Sequence, residues 1–144
     1  MGSPLDELHG FYFNDLTIGM SDLYAKTITE ADITLFAKVS GDTNPIHLNK
    51  NFANKTRYKG CIAHGILTAG LISTVIGTKM PGPGSIYISQ ILRFKAPVKI
   101  GDTVIATVTI LKLVKKTKIA LLKTVCKVND RTVLDGEATV LVPN

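Results

Sequence analysis

The sequence predicts an α+β domain in which an antiparallel β-sheet wraps around one long central helix. The stretch from Ile62 to about Lys79 is apolar on nearly every side, and a helix of that kind must be buried. After the break at Pro81-Gly82-Pro83-Gly84, four consecutive segments have the composition of β-strands and are separated by turn signals. One further strand-like segment precedes the helix.

The elements before the central helix are short. An irregular lead-in ends at Ile18-Gly19-Met20, and Leu23–Ile28 alternates as a first strand. Thr29 is suited to N-cap a short helix that runs to about Val39, and Gly41 ends that helix.

The following segment, Asp42 to Leu48, is predicted to be irregular, because Pro45 disfavours helical backbone at Asn44. Asn49 can cap a second short helix over about Lys50 to Lys55. The strands predicted after the central helix are Ser85–Phe94, Thr103–Val114, Ile119–Val128 and Thr132–Val142.

A chain of 144 residues, 45% of them hydrophobic and 19% charged, is expected to form one globular domain. We assign residues 1–14 to an N-terminal lead-in and 15–144 to the domain. Cys61 and Cys126 are expected to be reduced, since the chain has no signal-peptide layout, and a cytoplasmic location follows. No apolar run reaches the ~18 residues of a membrane span.

The composition also limits the partners and cofactors. A net charge of +6 favours anionic partners, but no nucleic-acid-binding motif accompanies it, so neither nucleic acid nor a membrane is expected to bind. The three histidines, His9, His47 and His64, lack the paired spacing of a metal site, and no metal is expected.

Asp42 and His47 stand close together on a loop that contains a proline. Such a pair can act as general base and general acid near neutral pH. Residue types and spacing alone leave another interpretation open, in which Asp42 stabilises a turn and His47 is an ordinary core residue.

The complete string Gly41-Asp42-Thr43-Asn44-Pro45-Ile46-His47 resembles the hydratase motif of the MaoC-like, (R)-specific enoyl-CoA hydratase family. Segments 62–73, 82–87 and 92–102 resemble this family in the same order, so that the resemblance covers about Asp15 to Pro143. It implies a hotdog fold, a homodimer or dimer-based oligomer, and reversible hydration of a trans-2-enoyl-CoA to an (R)-3-hydroxyacyl-CoA. The CoA thioester is the substrate, and no cofactor is expected.

The resemblance also implies roles for particular residues. Asp42 is expected to be the principal base towards water, His47 the proton donor, and Asn44 the residue that holds the loop. Gly65 would offer its backbone N–H as an oxyanion hole at the start of the buried helix. The alternative is that Gly65 merely allows tight packing there. His64 is expected to brace the loop.

The remaining assignments have alternatives of equal standing. Ser73 would support the catalytic pair or bond to a carbonyl of the preceding helical turn. Four side chains are expected to line the acyl pocket or to belong to the core: Leu67, Ile72, Ile86 and Tyr87. Three basic side chains are expected at the CoA phosphates: Arg93, Lys95 and Lys99.

Three other functions remain open at this point. A dehydratase acting on acyl carrier protein is one, although the His-Phe-Pro motif of the bacterial enzymes is missing from this sequence. A hotdog thioesterase is the second, and a non-catalytic acyl-CoA binder is the third. A binder needs no acid–base pair, so the presence of both Asp42 and His47 argues against it.

Overall fold

The computed structural model describes residues 5–144, and over that range one antiparallel sheet has the strand order β1-β3-β4-β5-β2. The strands are β1 Ser21–Thr27, β2 Ile86–Phe94, β3 Thr103–Val114, β4 Ile119–Val128 and β5 Arg131–Leu141. The helices are α1 Glu30–Ser40, α2 Pro45–Leu48, α3 Lys50–Asn54 and α4 Gly65–Thr78. The predicted α+β class, with a sheet packed around a central helix, is confirmed.

The inner face of the sheet packs on α4. In β3 as far as Ile110, and along all of β4, every second residue is buried, the alternation expected of strands that cover a core on one face. Ile72 and Val75 of α4 are 0% exposed and meet this face. The helix therefore lies inside the curve of the sheet, and its N-terminus is held at a fixed place.

The lead-in also joins the core. Two 3₁₀ turns, Asp6–Leu8 and Phe13–Asp15, precede β1, and Phe13 is 5% exposed. The N–H of Gly10 donates to the carbonyl of Pro83 at 2.9 Å, so the lead-in packs against the turn that follows α4. In the range the structure covers, no helix is both long and apolar enough to cross a membrane.

Two of the predicted boundaries are wrong. Residues 45–48 form a one-turn helix rather than an irregular segment, since Pro45 occupies its first position, where the missing N–H costs nothing. The central helix begins at Gly65 and not at Ile62. Ile62 instead forms a β-bridge with Lys99, and the N–H of Ala63 donates to the carbonyl of Val98 at 2.7 Å.

The expectation that α4 is buried on every side is also wrong for the single chain. Ile66, Gly70, Ser73 and Gly77 follow one another along one helix face, and all four are exposed. We call these four residues the α4 stripe. Its residues are uncharged and three of them are small, so no charged side chain in the sequence marked this face as exposed.

Candidate active site

The end of α1 places Asp42. A reciprocal pair of hydrogen bonds between Thr29 and Asp32 caps the start of this helix, and Gly41 ends it with a left-handed backbone at φ 78°. The N–H of Asp42 then donates to the hydroxyl of Ser40 at 3.1 Å. The Asp42 carboxylate accepts a bond from the N–H of Asn44 at 3.3 Å and is otherwise exposed to solvent.

Asn44 and Pro45 begin the short helix α2 that carries His47. The Asn44 side chain accepts a hydrogen bond from the N–H of Ile46 at 3.2 Å and so caps this helix. The Asn-Pro sequence thereby turns the chain directly after Asp42 and brings His47 back beside it.

The orientation of the His47 ring is set by the backbone. Its Nδ1 lies 2.7 Å from the carbonyl oxygen of Ile62, which can only accept, so Nδ1 carries the proton and donates. The Nε2 atom is then the one that can take up or release a proton. His47 is half-buried, and no other described residue bonds to its ring.

His64 ties this loop to the start of α4. Its Nε2 donates to the backbone carbonyl of Asp42 at 2.9 Å, and its ring is 2% exposed. It stacks on the His47 ring with centroids 3.9 Å apart and packs against Phe36 at 4.7 Å. These contacts fix both the Asp42 backbone and the plane of the His47 ring.

The ionisable atoms of Asp42, His47 and His64 all lie within 4.8 Å of one another. Three such groups could in principle hold a metal ion. The two imidazole rings are stacked with planes only 29° apart, however, and nitrogen lone pairs in stacked rings do not converge on one point. The arrangement fits an acid–base pair, Asp42 and His47, that exchanges protons with a bound substrate and water better than it fits metal ligation.

The N-terminus of α4 lies beside this group. His64 is the N-cap residue but gives no side-chain cap, so the N–H groups of the first turn, beginning with Gly65, have no acceptor within the helix. A Cβ atom on Gly65 would lie 2.5 Å from Phe94 Cε1 and 2.8 Å from Phe94 Cδ1. Glycine is therefore needed for the Phe94 ring to lie against the helix start.

A cavity of about 440 Å³ opens between the α4 N-terminus and the ends of β2 and β5. Its apolar wall consists of Ile62, Ala63, Ile66, Phe94, Ala96, Pro97, Val98, Val133 and Leu134. The remaining lining residues are His47, Arg57, Tyr58, Gly65, Thr68 and Lys95. A wall of this kind suits an apolar ligand such as an acyl chain, and His47 and Gly65 line the same cavity.

Of the predicted site residues, the structure brings His47, Gly65 and Lys95 to the cavity. Asp42, Asn44 and His64 lie in the adjoining loop and helix start. The others do not border the cavity: Leu67 packs against the core, Ile72 is fully buried within it, Ser73 belongs to the exposed α4 stripe, and Ile86, Tyr87 and Arg93 lie on β2.

Two of these β2 residues have partners of their own. The Tyr87 hydroxyl donates to the side-chain carbonyl of Gln90, and partial burial raises the pKa of Tyr87 to about 12. Arg93 lies 3.4 Å from the Asp135 carboxylate, on the face of the sheet away from α4. Lys99 is exposed near the turn before β3 and does not line the cavity.

Sequence reasoning did not single out Arg57, Tyr58, Thr68 or Phe94 as lining residues. Arg57 and Tyr58 belong to a segment without periodicity. Thr68 could have been found, since it shares a helix face with Gly65. Phe94 was part of a recognised motif, but its contact with Gly65 depends on how β2 passes the helix.

Comparison with known proteins places the chain in a family. The sequence profile of the MaoC like domain matches residues 17–132. An (R)-specific enoyl-CoA hydratase of Rhodospirillum rubrum is 54% identical over 138 residues, 96% of each chain. A 3-hydroxybutyryl-CoA dehydratase of Methylorubrum extorquens is 50% identical over 139 residues, 96% of this chain and 88% of that one.

A solved structure agrees with this assignment. The R-hydratase PhaJ1 from Pseudomonas aeruginosa, in its unliganded form, is 39% identical and superposes with a TM-score of 0.89. The match covers 94% of this chain and 87% of that one. The fold is therefore the hotdog fold of these proteins, as the sequence predicted. The chain belongs to the MaoC-like domain family.

Proposed function

We propose that this protein is a hydro-lyase that adds water reversibly across the double bond of a trans-2-enoyl-CoA and forms the (R)-3-hydroxyacyl-CoA. The observation that carries the proposal is the placement of Asp42 and His47 together beside an apolar cavity and a free helix N-terminus. The relatives named above catalyse this addition of water or its reverse, by their names.

The geometry supports distinct roles for the two side chains. The Asp42 carboxylate would take a proton from water as the oxygen attacks the β-carbon. His47 would deliver a proton to the α-carbon on the same face through Nε2, because its Nδ1–H is held by the Ile62 carbonyl.

Charge that develops on the thioester oxygen needs a donor. The Gly65 N–H would supply it, since it stands at the positive end of α4 and borders the cavity. Asn44 and His64 would hold the loop, through their bonds to the Ile46 N–H and the Asp42 carbonyl. Neither of these two would exchange protons with the substrate.

The CoA phosphates would be met by basic side chains at the cavity entrance. Lys95 and Arg57 both border the cavity and carry charges that suit a phosphorylated carrier. Arg93 is a weaker candidate, because Asp135 already pairs with it. The predicted cytoplasmic location rests on the sequence alone and stays a prediction.

We further propose that the protein is a homodimer whose partner covers β2 and the α4 stripe. β2 is an edge strand of nine residues with exposed apolar side chains, among them Ile86, Ile88 and Ile91. An apolar edge of this kind invites pairing with another strand. The α4 stripe adds a second uncovered surface on the same chain, formed by one isoleucine and three small residues.

The test is incubation of the wild-type protein with crotonyl-CoA, with the conjugated-enone absorbance and free thiol followed together. A hydratase removes the absorbance without releasing thiol. Release of CoA would identify a thioesterase instead, and no change with short or medium acyl chains would leave a non-catalytic binder. Chiral analysis of the product should give the (R)-alcohol.

A further inference from the structure

The hydroxyl of Thr68 is buried, lacks a partner and borders the cavity beside Gly65. Thr68 is 2% exposed, and its Oγ1 has no hydrogen-bond partner among the described residues. A buried hydroxyl without a partner destabilises a folded protein, so such groups are rare, and a water or a ligand commonly completes them. Thr68 is in addition one of the residues that line the cavity.

The other threonines of α4 behave differently. The Thr74 hydroxyl donates to the carbonyl of Gly70 at 3.2 Å, and the Thr78 hydroxyl donates to the carbonyl of Thr74 at 2.6 Å. These are the usual bonds of a threonine within a helix. For Thr68 the equivalent carbonyl, that of His64, accepts the Thr68 N–H at 3.2 Å but not the hydroxyl.

The position of Thr68 directs its side chain towards the helix start. It follows Gly65 by three residues and so lies on the same helix face. The Cα–Cβ bonds of an α-helix tilt towards its N-terminus, which carries the Thr68 side chain back towards the first turn. The surrounding wall is apolar, with Ala63 and Val98 as neighbours along the cavity.

We propose that Thr68 Oγ1 donates a hydrogen bond to the thioester oxygen of the substrate, as a second donor beside the Gly65 N–H. The inference rests on the proposed hydration and adds a residue to it. Attack of water at the β-carbon places negative charge on that oxygen, so a hydrogen bond from a buried donor strengthens as the transition state forms. Thr68 would therefore raise kcat more than it lowers KM.

Two variants separate this role from a structural one. Thr68→Val keeps the shape and removes the hydroxyl, whereas Thr68→Ser keeps the hydroxyl and removes a buried methyl. With crotonyl-CoA, Thr68→Val should lose about 10²-fold in kcat with KM within about threefold. Its Tm should be unchanged or higher, because an unpaired buried hydroxyl is gone.

Thr68→Ser should show the opposite pattern: a lower Tm, from the cavity it leaves, and a kcat within about fivefold of wild type. The proposal is overturned if Thr68→Val keeps a kcat within about threefold of wild type. It is equally overturned if Thr68→Val has a lower Tm and Thr68→Ser restores the Tm but not kcat. That pattern is expected of a hydroxyl that holds a structural water. A wild-type protein that leaves crotonyl-CoA unchanged would instead remove the proposed function itself.

Discussion

Gly65 can serve the site in two ways, as an oxyanion donor or as a residue that allows tight packing. Its N–H begins α4 and borders the cavity, as an oxyanion donor must, while the Phe94 ring lies where a Cβ atom would be. Both roles require glycine at position 65, but only the packing role depends on the Phe94 ring. A packing role requires the absence of a side chain only because of that ring, whereas an oxyanion donor requires close approach of the substrate to the N–H, which a methyl group hinders whether or not the ring is present.

We expect Gly65→Ala to lower kcat/KM for crotonyl-CoA by about 10²-fold, because the new methyl blocks approach to the N–H. The test is to combine it with Phe94→Ala, which removes the clash, and to compare both with Phe94→Ala alone. The double variant should stay as impaired as Gly65→Ala. Recovery to the level of Phe94→Ala would show that Gly65 serves packing only.

At the scale of single residues, part of the site could be predicted from the sequence. The motif from Gly41 to His47 was recognisable in the sequence because its residues are close together in the chain. The cavity wall was not, because Val98, Val133 and Leu134 come from distant elements and meet only after the sheet forms. Thr68 also looked like any polar residue of a buried helix, and its missing bond is visible only in three dimensions.

Among the elements, α1 sets the position of the catalytic loop, since its last turn leads through Gly41 to Asp42. Its start is held by the capping box of Thr29 and Asp32, and Lys26 of β1 lies 3.0 Å from the Asp32 carboxylate. A hydrogen bond from the Thr29 backbone N–H, and a second one from the Lys26 side chain, hold the pKa of Asp32 below its ordinary value of 3.8. The charged form of Asp32 is therefore the one the fold favours.

A lowered carboxyl pKa contributes stability that is present above the unfolded value and is lost as the pH falls through the folded value. Asp32→Asn should therefore cost about 1 kcal/mol at pH 7, a Tm decrease of about 3 °C. At pH 3 the difference from wild type should be smaller. Thermal unfolding followed by circular dichroism measures both, with Glu30→Gln in the same helical turn as control. An equal difference at both pH values contradicts the assignment.

The helices and strands could be predicted where a pattern of residue types continues over many consecutive residues. β3 and β4 have the bounds that were expected, because β-branched residues and turn signals define them. The four-residue helix α2 is too short to show a period. The start of α4 was placed too early because Ile62 and Ala63 are apolar like the helix, and their contacts with Lys99 and Val98 are formed with a distant part of the chain.

For the whole molecule, the uncovered surfaces point to a second copy. The α4 stripe begins at Ile66, two residues after His64, whose ring bonds to the backbone carbonyl of Asp42 in the catalytic loop. A partner placed over the stripe and β2 would therefore also shield Asp42, which is exposed in the single chain. Water exclusion of this kind strengthens the electrostatic interactions on which proton transfer depends.

Gly70→Lys tests the dimer with little risk to the fold of one chain. A Cβ at Gly70 meets nothing within 4 Å, and replacing a helical glycine usually favours the helix. Sedimentation equilibrium should give about twice the 15.5 kDa of one chain for wild type and a shift to monomer for the variant. Val39→Lys, an exposed position on α1, is the control and should stay dimeric. A wild-type monomer contradicts the proposal, as does a Gly70→Lys protein that dimerises as wild type does.

The central claim is that Asp42 and His47 act together as the acid–base pair of a hydratase. The most direct measurement is kcat for hydration of crotonyl-CoA by wild type, Asp42→Asn, His47→Gln and the double variant, all checked for an unchanged Tm. We expect each single variant to lose about 10²–10⁴-fold and the double variant to lose little more than the worse single one, since the two side chains act together in the same hydration reaction. Single variants that keep kcat within about tenfold of wild type would contradict the claim.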